Sequence, residues 1–172
     1  MADGVTVDAN VIKQFTDAYL QETDSASRFL VEKLVAVHGI VVDEGGKIQC
    51  QWFQTCNQPF VQEWFFERVR DGSIRLVRPT VEPKHRKKLV NDLGFPPTGF
   101  ELTYIWVANA TSVRYILTED IDFFDPTLKK AEQAAKKYAK EKRRGQVCKY
   151  LRDKMDITVG TVAHAETELL TA

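Results

Sequence analysis

Several acids of this chain each follow a short apolar run. Asp8 closes Val5-Thr6-Val7, and Asp43 and Glu44 close Ile40-Val41-Val42. Glu119, Asp120 and Asp122 follow Tyr115-Ile116-Leu117-Thr118. Runs of this kind read as buried strands. In a parallel sheet the carboxyl ends of the strands share one edge, where ligand crevices open. Segments far apart in sequence would then deliver carboxylates to one small volume. Such carboxylates repel one another unless a cation sits among them. Oxygen-only donors suit a hard divalent ion, Mg²⁺ or Mn²⁺, which points to metal-assisted phosphodiester chemistry. Asp71 and Asp156 precede strand-like runs, so they belong to the opposite edge.

Each acid also has a plainer use. Asp8, in Val7-Asp8-Ala9-Asn10-Val11-Ile12, suits a helix N-cap. Glu101 opens an apolar helix and would favour its dipole. Asp120 and Asp122 would otherwise lie in a solvated turn before Pro126. Against that, Glu119, Asp120, Asp122 and Asp125 fall within seven residues, a heavy load of like charge for a turn.

The elements that must hold these acids alternate between the two periodicities. Strands are expected at 4–8, 40–43, 74–77, 114–118 and 157–162. Helices are expected at 10–21, from caps in Thr23-Asp24-Ser25 to residue 37, at 47–55, 60–69, 83–94 and 100–110. The first helix would bury Val11, Phe15, Ala18 and Tyr19. Asn57-Gln58-Pro59 breaks the third helix. A long basic helix opens at Pro126 and pauses at Gly145, so that 126–154 forms one basic helical segment. Strands separated by helices imply a mainly parallel central sheet with helices on both faces, a three-layer α/β/α sandwich in one domain over 1–172.

With 172 residues, 44% of them hydrophobic, the chain can build one core. Its net charge of zero conceals an asymmetry. From Lys129 to Lys154 there are eleven basic and three acidic residues, a local charge of +8, so the remainder is acidic by the same amount. Such a segment suits a polyanion. Cys50, Cys56 and Cys148 form no CxxC pair, which argues against a zinc site or a disulfide framework. A reducing, cytoplasmic location is expected. There is no signal-peptide pattern and no apolar run of membrane-spanning length, so no membrane association is expected.

The order of these motifs resembles the PIN domain family, a group of metal-dependent ribonucleases and related nucleases. The resemblance rests on Val5-Thr6-Val7-Asp8-Ala9-Asn10-Val11-Ile12 and on Tyr115-Ile116-Leu117-Thr118-Glu119-Asp120-Ile121-Asp122-Phe123. Between them, Gly99-Phe100-Glu101 before Ile105-Trp106-Val107-Ala108 is similar to the family's acid-led helix. It implies a PIN-like fold and a Mg²⁺ or Mn²⁺ site made by Asp8, Glu101, Asp120 and Asp122. Asn10 and Thr118 would hold the carboxylates in place. The family's remaining acid falls near Gln51, which carries no charge. Asp43 or Glu44 would orient the attacking water instead, or neither does and the site is weakened.

The implied function is a divalent-ion-dependent endonuclease, RNA favoured over DNA as substrate. Toxins and defence effectors are among the settings the family allows, and a protein partner or a second copy among the binding partners. The alternative is a PIN-like module that binds nucleic acid or protein without cleaving. An acidic-pocket phosphatase ranks last, because Asp8-Ala9-Asn10 breaks the DxD pattern it would need. Candidate phosphate contacts are Arg78, Lys136, Lys137, Lys140, Arg143 and Arg144, with the run Lys84 to Lys88 as a second cluster. His38 and His85 read as surface or capping residues. His164, Glu166 and Glu168 read as part of a frayed tail. Trp52, Trp64, Phe65, Phe66 and Trp106 read as core.

Overall fold

The computed structural model describes residues 3–56 and 59–171. In chain order the elements are β1 (Thr6–Val7), α1 (Ala9–Leu20), α2 (Ala26–Val37), β2 (Ile40–Asp43), α3 (Lys47–Cys56), α4 (Pro59–Asp71) and β3 (Ile74–Val77). Then come α5 (Pro83–Lys87), a π-helical turn (Lys88–Asp92), α6 (Phe100–Asn109), β4 (Tyr115–Leu117) and two 3-10 turns (Ile121–Phe123 and Pro126–Leu128). The chain ends with α7 (Gln133–Lys142), α8 (Gln146–Met155), β5 (Thr158–Gly160) and α9 (Val162–Leu170). The expected break at Asn57-Gln58 lies outside the described residues; Pro59 already belongs to α4.

The molecule is α/β with a small sheet in which every strand pair is parallel. β4 pairs with both β1 and β5, placing Thr6 opposite Ile116 and Ile116 opposite Val159. β2 pairs with β3 from Ile40 opposite Ile74 to Asp43 opposite Val77. A single parallel bridge, Val5 to Ile40, joins the two ladders. The strands therefore run in the order β3-β2-β1-β4-β5. Val5, Val7, Val41, Val42, Ile116 and Leu117 are wholly buried, as expected of parallel strands covered on both sides.

α6 is the most deeply buried helix. Seven of its ten residues are buried, around its whole circumference, which explains why its sequence carries no polar stripe. Tyr19, expected on the buried face of α1, is 42% exposed and stacks on Phe60 at 4.4 Å. Phe66 also differs from its core reading, being 51% exposed. Among the described residues no helix is long and apolar enough to cross a membrane.

Two expectations about the C-terminal third are corrected. The basic segment does not open as a helix at Pro126, and the pause expected at Gly145 is a full break between α7 and α8. It begins with the Pro126–Leu128 turn, and α7 stops where Arg143 takes a left-handed conformation, φ 51°. Gly145 then packs its Cα against the Phe124 carbonyl, where a β-carbon would collide. The tail is not frayed: Val162–Leu170 form α9. Thr161 and His164 make a reciprocal capping box at its start.

Candidate active site

β1 and β4 are neighbours in the sheet. The chain leaves β1 to build β2 and β3 on one side and returns in β4 to build β5 on the other. That reversal is the kind of place where a crevice forms outside the carboxyl ends of the strands. Asp8 follows β1 there, and Thr118, Glu119 and Asp120 follow β4.

Asp8 is 5% exposed. Its Oδ1 caps α1, accepting from the Ala9 N–H at 2.7 Å, and its Oδ2 accepts from the Thr118 hydroxyl at 2.6 Å. Thr118 Oγ1 also accepts from the Asp120 N–H at 2.9 Å. One hydroxyl thus ties the two strand ends and their acids together. Burial pushes the Asp8 carboxyl up to about 6, the nearby charges of Asp120 and Glu101 adding to the effect while the Thr118 and Ala9 hydrogen bonds oppose it. The Asp120 carboxyl is also raised, first by burial and then by Asp122, with Lys129 and Lys140 pulling the other way. Asp120 Oδ1 accepts from the Asp122 N–H at 3.0 Å.

Asp122 has one oxygen, Oδ2, within 3.5 Å of Lys129 Nζ. Its Oδ1 is buried with no hydrogen-bond partner. Glu101 stands in the first turn of α6, its charge felt by Asp8. Among the described residues, no three His, Cys, Asp or Glu side chains are grouped closely enough to hold an ion as they stand. Asp8, Glu101, Asp120 and Asp122 are neighbours, then, and not a closed cage. Their all-oxygen donor set and the unpartnered Asp122 Oδ1 still match a hard divalent ion.

Other expected site residues lie in different surroundings. Asp43 is buried, and each of its oxygens accepts from an α3 amide: Oδ2 from the Lys47 N–H at 2.9 Å and Oδ1 from the Ile48 N–H at 2.8 Å. Glu44 is exposed. Gln51, on α3, accepts from the Tyr104 hydroxyl. Burial holds that phenol well above its usual range, with the Asp8 and Asp43 charges contributing. A neutral amide–phenol pair therefore occupies the place where the resemblance asked for an acid. Asn10 does not brace a carboxylate side chain; its Oδ1 accepts from the Glu119 N–H at 3.4 Å. Glu119 caps α9, accepting from the Val162 N–H at 2.8 Å.

The cations divide as well. Lys140 Nζ donates to the Glu119 carbonyl at 3.0 Å, close to the acids. Lys137 is exposed and 3.9 Å from Glu141, Lys136 is half-buried, and Arg144 lies over the Tyr138 ring at 5.6 Å. Arg78 is exposed just beyond β3. Arg143 departs from the expected phosphate contact: it turns inward to pair with Glu168 of α9 and approaches the Tyr115 hydroxyl at 3.5 Å. His85 is also not a surface residue, being buried between Glu82 and Tyr150. Sequence reading passed over Tyr104 and Lys129. Lys129, first of the basic run, was visible there, whereas Tyr104 looked like any other apolar residue of α6. Compared with protein-family models, curated proteins and solved structures, the chain has no match.

Proposed function

We propose that this chain is a divalent-ion-dependent nuclease, RNA favoured over DNA, built on a PIN-like three-layer α/β/α frame. The observation that carries the reading is the Thr118 bridge. It holds a buried Asp8 against Asp120 where β1 meets β4. A carboxyl raised to about 6 by burial and by like charge is what a cation-binding site presents before its cation arrives. Asp8 and Asp120 would hold Mg²⁺ or Mn²⁺ from the two strand ends, and Asp122 Oδ1 and Glu101 would draw in to complete the oxygen donors. Such an ion, when bound, supplies an activated water and relieves charge on the departing oxygen.

The chain's own residues do the rest. Thr118 sets the Asp8 rotamer through its hydroxyl. Lys140 and Lys129, whose charges already reach Asp120, orient the phosphate. Asp43 keeps α3 in place. One observation favours the second reading, a module that binds without cutting: Gln51 is neutral and already satisfied by Tyr104.

The deciding experiment incubates the purified chain with single-stranded RNA and single-stranded DNA, in Mn²⁺ and in chelator. Cleavage of RNA in Mn²⁺ alone, lost in Asp8→Asn and Asp120→Asn, is expected. Tight binding with no cleavage under any divalent ion selects the second reading.

A further inference from the structure

A cleft of about 410 Å³ lies between the π-helical turn Lys88–Asp92 and α8. Tyr150 on its wall ends a chain of three polar groups that runs behind it. His85 Nε2 lies 2.9 Å from Glu82 Oε2, and His85 Nδ1 lies 2.6 Å from the Tyr150 hydroxyl. A carboxylate only accepts, so Nε2 carries the proton and Nδ1 accepts from the phenol. The two rings meet edge to face at 5.7 Å. Tyr150 is therefore held in one orientation, with part of its ring open to the cleft. Leu93 supplies a second apolar surface, and Lys88, Lys149 and Lys154 stand around the cleft. Lys88 pairs with Asp92 at 3.0 Å, and the other lining acid, Asp153, pairs with Arg152 at 3.0 Å. Among the described residues no carboxylate pairs with Lys149 or Lys154.

A fixed aromatic face beside ammonium groups is the chemistry that receives a base and its phosphate. The volume is that of an ordinary small-ligand site. A π-helical turn inside a helix often marks such a place. Both walls of the cleft are fastened to the loop that follows Asp120. The Val147 N–H of α8 donates to the Phe124 carbonyl at 3.1 Å. Phe95, just past Leu93, packs on Phe123 with ring centres 6.2 Å apart. That loop therefore links the segment carrying Asp120 to both walls of the cleft.

We propose that the cleft seats one nucleotide of the bound single strand, its base stacked on Tyr150 and its phosphate on Lys149 and Lys154. This rests on the nuclease reading for the identity of the strand. The test measures binding of a fluorescent single-stranded RNA to the full chain in chelator, so that no cleavage intervenes. Circular dichroism melts establish that each variant is folded. Tyr150→Leu removes the ring and should weaken binding by at least about fivefold, the lower bound for one base stack. Tyr150→Phe keeps the ring and should stay within about twofold, since stacking needs only the face. Lys149→Gln with Lys154→Gln should flatten the salt slope by roughly 0.7 for each phosphate no longer neutralised.

Three results overturn the proposal: wild-type affinity in Tyr150→Leu and in the lysine pair, equal losses in Tyr150→Leu and Tyr150→Phe, or saturation of the cleft by free adenosine monophosphate with no RNA bound there. The nuclease reading fails separately. Wild-type protein that binds RNA through Tyr150 yet never cleaves it in Mn²⁺ removes that reading and leaves the cleft standing.

Discussion

Asp8 is the residue on which the stability of the site and, under the proposed nuclease reading, its chemistry both turn. Its carboxyl is raised to about 6 in the fold, whereas in the unfolded chain it keeps the ordinary carboxylate range. Between those values the folded state keeps a proton that the unfolded state releases, so stability without metal falls as pH climbs through that window. Above about pH 6 the folded protein carries the full cost of a buried charge. Asp8→Asn removes the charge, keeps a good N-cap and leaves an oxygen for Ala9 or Thr118 to bond. The variant should be more stable than wild type at pH 7 in chelator, by up to about 3 kcal/mol. The advantage should vanish near pH 4, and cleavage should be lost. Melts from pH 4 to 8 in chelator check this. A lower midpoint for Asp8→Asn at pH 7 would show that Asp8 serves chiefly as a cap. The sequence made Asp8, Asp120 and Asp122 legible because acid after a buried strand is a local pattern. It could not show that Gln51 and Tyr104 satisfy each other, since that bond joins α3 to α6 and has no local signature.

At the scale of elements, Asp43 shows how the same pattern serves a different end. It closes β2 as Asp8 closes β1, yet both its oxygens bind the first amides of α3. Asp43→Ala strands those amides in a buried place, and should lower stability by about 1–3 kcal/mol. Asp43→Asn keeps an acceptor and should lose less. Chemical denaturation measures both. An Asp43→Ala protein of wild-type stability but without cleavage would instead put Asp43 in the reaction. Strands β2 and β3 were legible to the residue, β2 as a continuous apolar run after Gly39 and β3 as an alternating run after the Asp71-Gly72 turn. The break before α8 was legible at Gly145, but the late start of α7 at Gln133 was not, because Lys, Ala and Glu favour helix throughout. The break comes from outside the segment, where Gly145 meets the Phe124 carbonyl. α9 was missed for a similar reason. Its ends are tied by Glu119 to Val162 and by Arg143 to Glu168, contacts between distant elements that no short-range pattern announces.

Over the whole molecule, net neutrality is a sum of opposites held close together. The +8 segment is folded so that Lys129 and Lys140 reach the acids after β4, while most of its other cations stay outside. This separates two roles for positive charge. Lys140 is bound to the Glu119 carbonyl and Arg143 to Glu168, so removing either disturbs the fold as well as the surface. Lys136 and Lys137 are half-buried and exposed respectively, and Lys137 has only a 3.9 Å approach to Glu141. An exposed pair of that kind contributes little to stability. Lys136→Gln with Lys137→Gln should therefore leave the melting temperature unchanged and act on nucleic acid alone. A phosphate that the variant no longer neutralises keeps its condensed counterions. The salt slope of single-strand binding should flatten by roughly 0.7 for each such phosphate, and affinity should fall alike for every sequence. Cleavage rate at saturating RNA should hold, because neither lysine is among the cations felt by Asp120. Binding isotherms at several salt concentrations, with two unrelated RNA sequences, measure both effects. An unchanged slope would mean that α7 is a solvated face and that the strand runs elsewhere. A weakening confined to one of the two sequences would mean that α7 reads bases, which ammonium groups meeting a backbone do not do.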